Sequence, residues 1–272
     1  MPSNRKWHSG AFAALLVVAA TPAAAQVVGE GMENERVRAV IGAGIGVVPD
    51  YKGSDEQTGV LAPFFRYTWG QGRYVQVTGN EASVNLIASP HFRLGPIAAF
   101  NPERDDVDDK VVDDMDDLDS SVEIGVFGDM VWPDPGNPRN RFIAGVAAFR
   151  DGESDGNRVR LNGRWWQQIS PTVDLHLGGG VIWTDDDYTD HYYGVNPGNV
   201  GTSGLPNFKA EGGTNEIFLT AGGIMQINRD WKGLAMLRAG KLQGDAKDSP
   251  LVDDRGDSTQ VSFVIGAIYS WR

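Results

Sequence analysis

Four histidines, no cysteine and an excess of carboxylates limit the chemistry open to this chain. Without Cys there is neither a disulfide nor a thiolate metal ligand. A hydrolase needs a histidine base within hydrogen-bond reach of its nucleophile. Apart from His8 near the N-terminus, the candidates are His91, His176 and His191. His191 stands among Asp185, Asp186, Asp187 and Asp190, a grouping that suits an aspartate/histidine protease or a metal; the plainer reading is a solvated acidic loop. The run ERDDVDDKVVDDMDDLD (103–119) holds ten acids and two bases. It lacks the alternating ligands and central glycine of an EF-hand loop. A mobile, self-repelling surface loop is the expectation there, with loose divalent-cation binding left open. No residue is assigned to a cofactor.

VRAVIGAGIGVVPDYKGSD (37–55) raises a second possibility. Gly42, Gly44 and Gly46 could belong to a phosphate-cradling loop or line one face of a strand. A dinucleotide fingerprint requires G-x-G-x-x-G opening a helix. Here Pro49 interrupts the motif and no helical pattern follows, so the strand reading holds.

Arg5 and Lys6 followed by the apolar run AFAALLVVAA (11–20) and Ala23-Ala24-Ala25 match a secretory signal peptide. Cleavage is expected between Ala25 and Gln26, leaving 26–272 as one domain. Losing Arg5 and Lys6 from 24 basic residues leaves 22 against 36 acidic ones, a net charge of −14. That balance disfavours nucleic acid as a partner. Mean hydropathy is −0.30, Gly numbers 35, and nothing after the signal is long and apolar enough for a spanning helix. An all-β chain remains.

Period-two alternation supports it. In STQVSFVIGAIYSW, Val261, Phe263, Ile265, Ala267, Tyr269 and Trp271 share one face, and Ser262, Val264, Gly266, Ile268 and Ser270 the other. Val122, Ile124, Val126, Met130 and Trp132 likewise oppose Glu123, Gly125, Phe127 and Asp129. Segments of about 11–14 residues fit tilted membrane-crossing strands better than a sandwich, whose strands average ~5–6. Strands are expected at 36–48, 59–69, 73–79, 82–88, 91–101, 121–132, 140–150, 157–169, 172–184, 214–227, 231–243 and 258–271. Splitting 73–88 at Thr78-Gly79-Asn80-Glu81 places every long connection at one end. The fold expected is therefore an antiparallel up-and-down transmembrane β-barrel of about 12 strands in a Gram-negative outer membrane, in contact with its lipid and lipopolysaccharide. Trp69, Trp132, Trp165, Trp231 and Trp271 gather at the expected periplasmic ends, as a girdle requires.

This phase turns Arg38, Arg66, Arg93, Arg141, Arg158, Arg160, Arg164 and Arg238 inward, with Glu123, Asp129, Asp174 and Glu216. They form either an ion-pair network that fills the barrel or the lining of an anion-favouring pore. For Asp174 the nearer cross-strand candidate is Arg164 or Trp166, with Arg164 preferred to Arg160 as its charge partner.

Pro49-Asp50-Tyr51 with Gly53-Ser54-Asp55, Leu94-Gly95-Pro96, Tyr192-Tyr193-Gly194-Val195, and Gly244-Asp245-Ala246 before Asp248-Ser249-Pro250 together resemble the MipA/OmpV family, over about residues 37–271. The resemblance implies an outer-membrane barrel without enzymatic activity, a scaffold for a peptidoglycan hydrolase and synthase. A porin-like channel for small solutes and a barrel hydrolase stay open as alternatives.

Overall fold

The computed structural model describes residues 38–271; the expected signal peptide and its Ala25–Gln26 junction lie outside them. Twelve strands follow one another: β1 (Ala39–Pro49), β2 (Gln57–Trp69), β3 (Arg73–Thr78), β4 (Glu81–Asn85), β5 (Phe92–Asn101), β6 (Ser121–Pro133), β7 (Arg141–Asp151), β8 (Asn157–Ser170), β9 (Val173–Thr184), β10 (Gly213–Gln226), β11 (Trp231–Leu242) and β12 (Thr259–Trp271). Each pairs antiparallel with the next, and β12 closes on β1 through Ala39↔Trp271 to Val47↔Phe263. The split of 73–88 is present: Gly79 adopts φ +56, open to glycine at little cost, and β3 meets β4 at Thr78↔Glu81.

Alternation sets which face each side chain takes. On β12, Phe263 and Ile265 are exposed, whereas Val264 and Ile268 are buried. Gly42 and Gly46 face inward, where a Cβ would overlap the carbonyl oxygens of Ala267 and Phe263 on β12. Their spacing therefore serves close approach of β1 to β12, and the phosphate reading has no structural counterpart. β4 stops at Asn85, short of the expected 88. Its Oδ1 accepts from Ile87 N at 3.2 Å and Leu94 N at 3.0 Å, so a side chain replaces the next rung of the ladder.

The connections 50–56, 102–120, 185–212 and 243–258 lie at one end; short turns at 70–72, 86–91, 134–140, 171–172 and 227–230 lie at the other. The long connections contain five short helices not expected from the sequence: α1 (Lys110–Asp113), α2 (Asp186–Tyr193), α3 (Pro197–Ser203), α4 (Gly244–Asp248) and α5 (Pro250–Asp253). Four start on a side-chain cap: Asp109, Asp185, Asn196 and Ser249 accept from backbone N–H groups of the first turn.

Candidate functional site

The inward side chains form three storeys. The short-turn half is an apolar plug of Val40, Phe64, Ile143, Trp166, Met236 and Ile268 with their neighbours, each 3% exposed or less. Burying such side chains is worth about 1.5–3 kcal/mol each, and none of these six leaves more than 3% of its surface to solvent. Around and above it lies a belt of polar contacts and ion pairs, with Arg66 and Arg141 on the short-turn side of Phe64 and Ile143. Arg158 pairs with Glu123, its Nε donating to Oε2 at 2.8 Å. Arg160 forks onto Glu81 at 2.5 and 3.1 Å. Arg93 and Arg164 share Asp129 at 3.4 and 2.8 Å, and Arg238 meets Glu216 at 2.8 Å. Arg66 donates to Gln76 Oε1 at 2.9 Å and stacks on Tyr74. Arg141 lies over Trp166 and donates to Arg139 O at 3.0 Å. A polar cavity of about 30 Å³ lies among Gln76, Glu81, Asp129, Asn162 and Arg164, space for a water or two.

Two placements differ from expectation. Arg38 is exposed at the barrel end, just before β1, and is not part of the belt. Asp174 pairs with Arg139 from the β6–β7 turn, while Arg164 stands opposite Gly178 and Asp174 opposite Gln168. The two members of the expected pair are several rungs apart. Glu81, Arg139 and Asn101 were missed. Glu81 and Arg139 read as turn residues in the sequence, yet each completes an ion pair with an inward charge on another strand.

The third storey is a cap over the long-loop end. Its core includes Tyr51, Val112, Met115, Tyr188, Tyr192, Tyr193, Leu251 and Val252. The acidic run 103–119 is part of this core. Val107, Val112 and Met115 are buried, and Arg255 binds Asp109 through Nη2 at 2.5 Å and Nε at 3.3 Å. The mobile-loop expectation is thus corrected: three apolar residues spaced through the run anchor it, Asp109 binds Arg255, and the other acids are exposed. His191 is also not in a solvated loop. It is half-buried on α2, edge-on to Tyr192, and its Nε2 has no hydrogen-bond partner.

Cap and belt meet in one polar cluster. Tyr192 Oη donates to Asp151 Oδ2 at 2.8 Å and Tyr188 Oη to Glu123 Oε1 at 3.0 Å. Asn101 Nδ2 donates to Glu123 Oε1 at 2.9 Å. Lys52 Nζ sits 3.2 Å from the centre of the Tyr192 ring. Burial pushes the Lys52 ammonium down to about 7 against the pull of Glu123. Burial, with Asp109 beside it, raises the Tyr51 phenol to about 12. For Asp109, burial raises the pKa but the hydrogen bond from Arg255 and the amides of Val112 and Val111 lower it by more.

Three of the four sequence motifs converge on this cap, while Leu94-Gly95-Pro96 lies in β5. Gly53 N donates to Gln260 Oε1 at 3.1 Å, and Gln260 Nε2 returns to Ser54 O at 3.1 Å. Pro49 ends β1, and Asp50 and Asp55 flank the turn that carries Gly53. Gly53 (φ +102) and Gly244 (φ +53) occupy left-handed positions. Asp245 accepts from Glu211 N at 2.8 Å, and Ser249 Oγ donates to Tyr193 O at 2.6 Å. Pro250 opens α5, next to Asp248 at the end of α4. Asp50, Glu56 and Asp108 bring carboxylate oxygens within 4.8 Å of one another on the cap's outer surface. Asp50 already accepts from Asp108 N there, at 3.1 Å.

A closed antiparallel barrel with an apolar outer band and short turns at one end defines an outer-membrane β-barrel protein. Residues 41–271 match the family described as MltA-interacting protein MipA, and the chain belongs to that family. Among solved structures, the translocator domain of the autotransporter NalP from Neisseria meningitidis is 12% identical over 89% of this chain and 92% of that chain, with TM-score 0.50. The beta domain of the Bordetella autotransporter BrkA is 11% identical over 86% and 99%, with TM-score 0.40. These likenesses concern the fold alone. No curated protein matches the sequence. Since such barrels keep their short turns in the periplasm, the cap faces outward.

Proposed function

We propose that this protein is a non-conducting, non-enzymatic platform in the outer membrane that holds peptidoglycan-remodelling enzymes, a murein hydrolase and a synthase. The apolar plug carries this reading: Trp166, Ile143 and Ile268 are each fully buried across the short-turn half of the lumen, which argues against the porin-like channel. The family's description as an MltA-interacting protein supports an enzyme partner. Against the hydrolase stands the scatter of histidines. His91 lies near the periplasmic end with Nδ1 at 3.3 Å from Val131 O, and His176 is bound to Thr220 in the lumen. His191 is in the cap, and among the described residues no histidine hydrogen-bonds a carboxylate. A partner below the membrane has the turns 86–91 and 134–140 to dock on. The second is stiffened by Asp134 Oδ1 accepting from Gly136 N at 2.7 Å. Export through the signal peptide gives a mature chain that starts at Gln26, which N-terminal sequencing of the membrane form reads directly.

Two measurements test the proposal. In planar bilayers the purified barrel should give no stable conductance steps. In nanodiscs it should bind a purified lytic transglycosylase, and replacing 134–138 by a glycine-serine turn should weaken that binding. Steady ion current would favour the channel, and absent binding to the enzyme would remove the platform.

A further inference from the structure

The wall of the barrel is incomplete beside β2. On one side β2 is paired along its full length, from Ala39↔Tyr67 to Pro49↔Gln57. On the other, its ladder with β3 begins only at Phe64↔Thr78, because the hairpin turns back at Gly79 and Asn80. Beyond that rung Gly79 N donates to Pro63 O at 2.8 Å, and among the described residues no further backbone bond reaches the stretch from Gln57 to Leu61 on this side. The facing bank is closed. Phe100 N donates to Asn80 O at 2.9 Å and Asn80 Nδ2 to Phe100 O at 2.8 Å, which ties the hairpin tip to β5.

The direction of the backbone groups along β2 is fixed by its neighbours. In an antiparallel strand the N–H and C=O of one residue point to the same side, and successive residues alternate. Thr68 N donates to Arg38 O towards β1, and Pro63 O accepts from the β3 side. Even-numbered residues therefore serve β1. Gly59 and Leu61 each point one donor and one acceptor into the notch. Pro63 has no N–H to offer on this side, as suits a proline on a strand edge. A Cβ at Gly59 would meet nothing within 4 Å, so the outer face there is open to lipid.

These groups lie at the depth of lipid. Leu61 shares its rung with Ile45 and Ile265, and these three outward side chains are 55%, 62% and 51% exposed. Gly59 shares its rung with Val47 and Phe263, both also exposed and apolar. Unpaired backbone and open sheet edges are costly in hydrocarbon.

We propose that the outer edge of β2 is a docking site for an extended β-strand of a second polypeptide, which pairs with Gly59 and Leu61. Strand addition supplies donors and acceptors two residues apart, about 6.6 Å, which matches the spacing of the free groups. An acyl chain supplies neither. The side chains of the added strand that lie alongside Leu61 would face lipid, so that set is apolar. A second copy of this chain fits poorly. Two copies in one membrane are related by an axis along its normal, which reverses the strand tilt of about 35–45°. Their β2 edges would then cross and could not run side by side. The inference is independent of any enzyme held in the periplasm.

The test uses the purified full barrel in nanodiscs and, as probe, a short synthetic peptide alternating valine and threonine. Amide hydrogen exchange is read at Gly59, Val60 and Leu61. The peptide should slow exchange at Gly59 and Leu61 by about ten-fold or more and leave Val60, already bonded to β1, unchanged. Leu61→Pro removes a notch donor without touching the β1 ladder, and should abolish the protection at Gly59. If that variant does not fold, Gly59→Pro gives the reciprocal reading at Leu61. Unchanged exchange in the wild type at saturating peptide would overturn the proposal, as would full protection in the proline variant. Protection already present without peptide would also overturn it, in favour of lipid for single barrels or of a second copy if the particles are dimers by mass.

Discussion

Glu123 is the residue on which the charged belt and the cap both lean. It is fully buried, and its carboxylate takes Arg158, Asn101 and Tyr188 together. Truncating one partner of a buried pair strands the other charge, so Glu123→Ala should destabilise the folded barrel by ~3–5 kcal/mol. Replacing both Glu123 and Arg158 by apolar residues of similar size should cost less than the single change, a coupling that urea unfolding of the refolded barrel measures. A charge swap tests the other revised pair. Arg139→Asp with Asp174→Arg should recover stability lost by either alone, whereas Arg164→Asp with Asp174→Arg should not. The direction of these charges was legible from strand phase alone. Their partners were not, because Arg160 reaches Glu81 on β4 from β8, and period-two reasoning sees only adjacent strands. Arg139 sits in a turn and Glu81 at the first position of β4 after one, where alternation carries no signal.

At the scale of elements, the strands were readable because each carries large apolar residues on one face and small or charged ones on the other. β12 is the sharpest example. Ile265→Arg would put a charge among lipid-facing residues and should cost ~2–4 kcal/mol, read from equilibrium unfolding in detergent or lipid. Gly266→Arg should fail by a different route, since even a Cβ there lies 2.7 Å from Ala43 O and 2.9 Å from Gly44 Cα. If Ile265→Arg unfolds at the wild-type urea concentration, the outward phase of β12 is wrong. The helices escaped notice because they run for four to eight residues, too short for a 3.6-residue pattern to repeat. Their starts were nonetheless written in the sequence: Asn196-Pro197 and Ser249-Pro250 pair a capping side chain with a proline in the first turn. Ser249→Ala should loosen α5 by about 1 kcal/mol, seen as faster exchange of the Leu251 amide.

The whole molecule behaves as a plugged cylinder, notched beside β2, with a separate lid, and the lid is where its response to conditions should concentrate. The lid has its own apolar core, centred on fully buried Leu251. Protease added to intact cells should therefore cut 102–120 and 185–213 slowly in the wild type. It should cut them quickly in Leu251→Asp, while the strands below stay protected. Burial lowers several bases of the lid, among them His191 and Arg104, and brings Lys52 down to about 7. Between that value and the ordinary lysine range near ~10.4, an opened lid binds more protons at this site than a closed one. Stability of the closed lid should hence rise as pH climbs through this window, and Lys52 should contribute no slope below about pH 7, where both states are protonated. Asp109, whose pKa is lowered in the closed lid, acts at the other extreme: its contribution is lost as pH falls below the ordinary carboxylate range. Tyr51 begins to titrate only well above neutrality, near its raised value of about 12. Protease protection of the lid should accordingly increase between pH 7 and 9, a window in which neither Asp109 nor Tyr51 changes charge. Lys52→Met keeps the apolar stem over Tyr192 and removes the titrating amine, so it should flatten that slope and strengthen protection at pH 7. An unchanged slope in Lys52→Met would assign the pH dependence to some group other than this lysine.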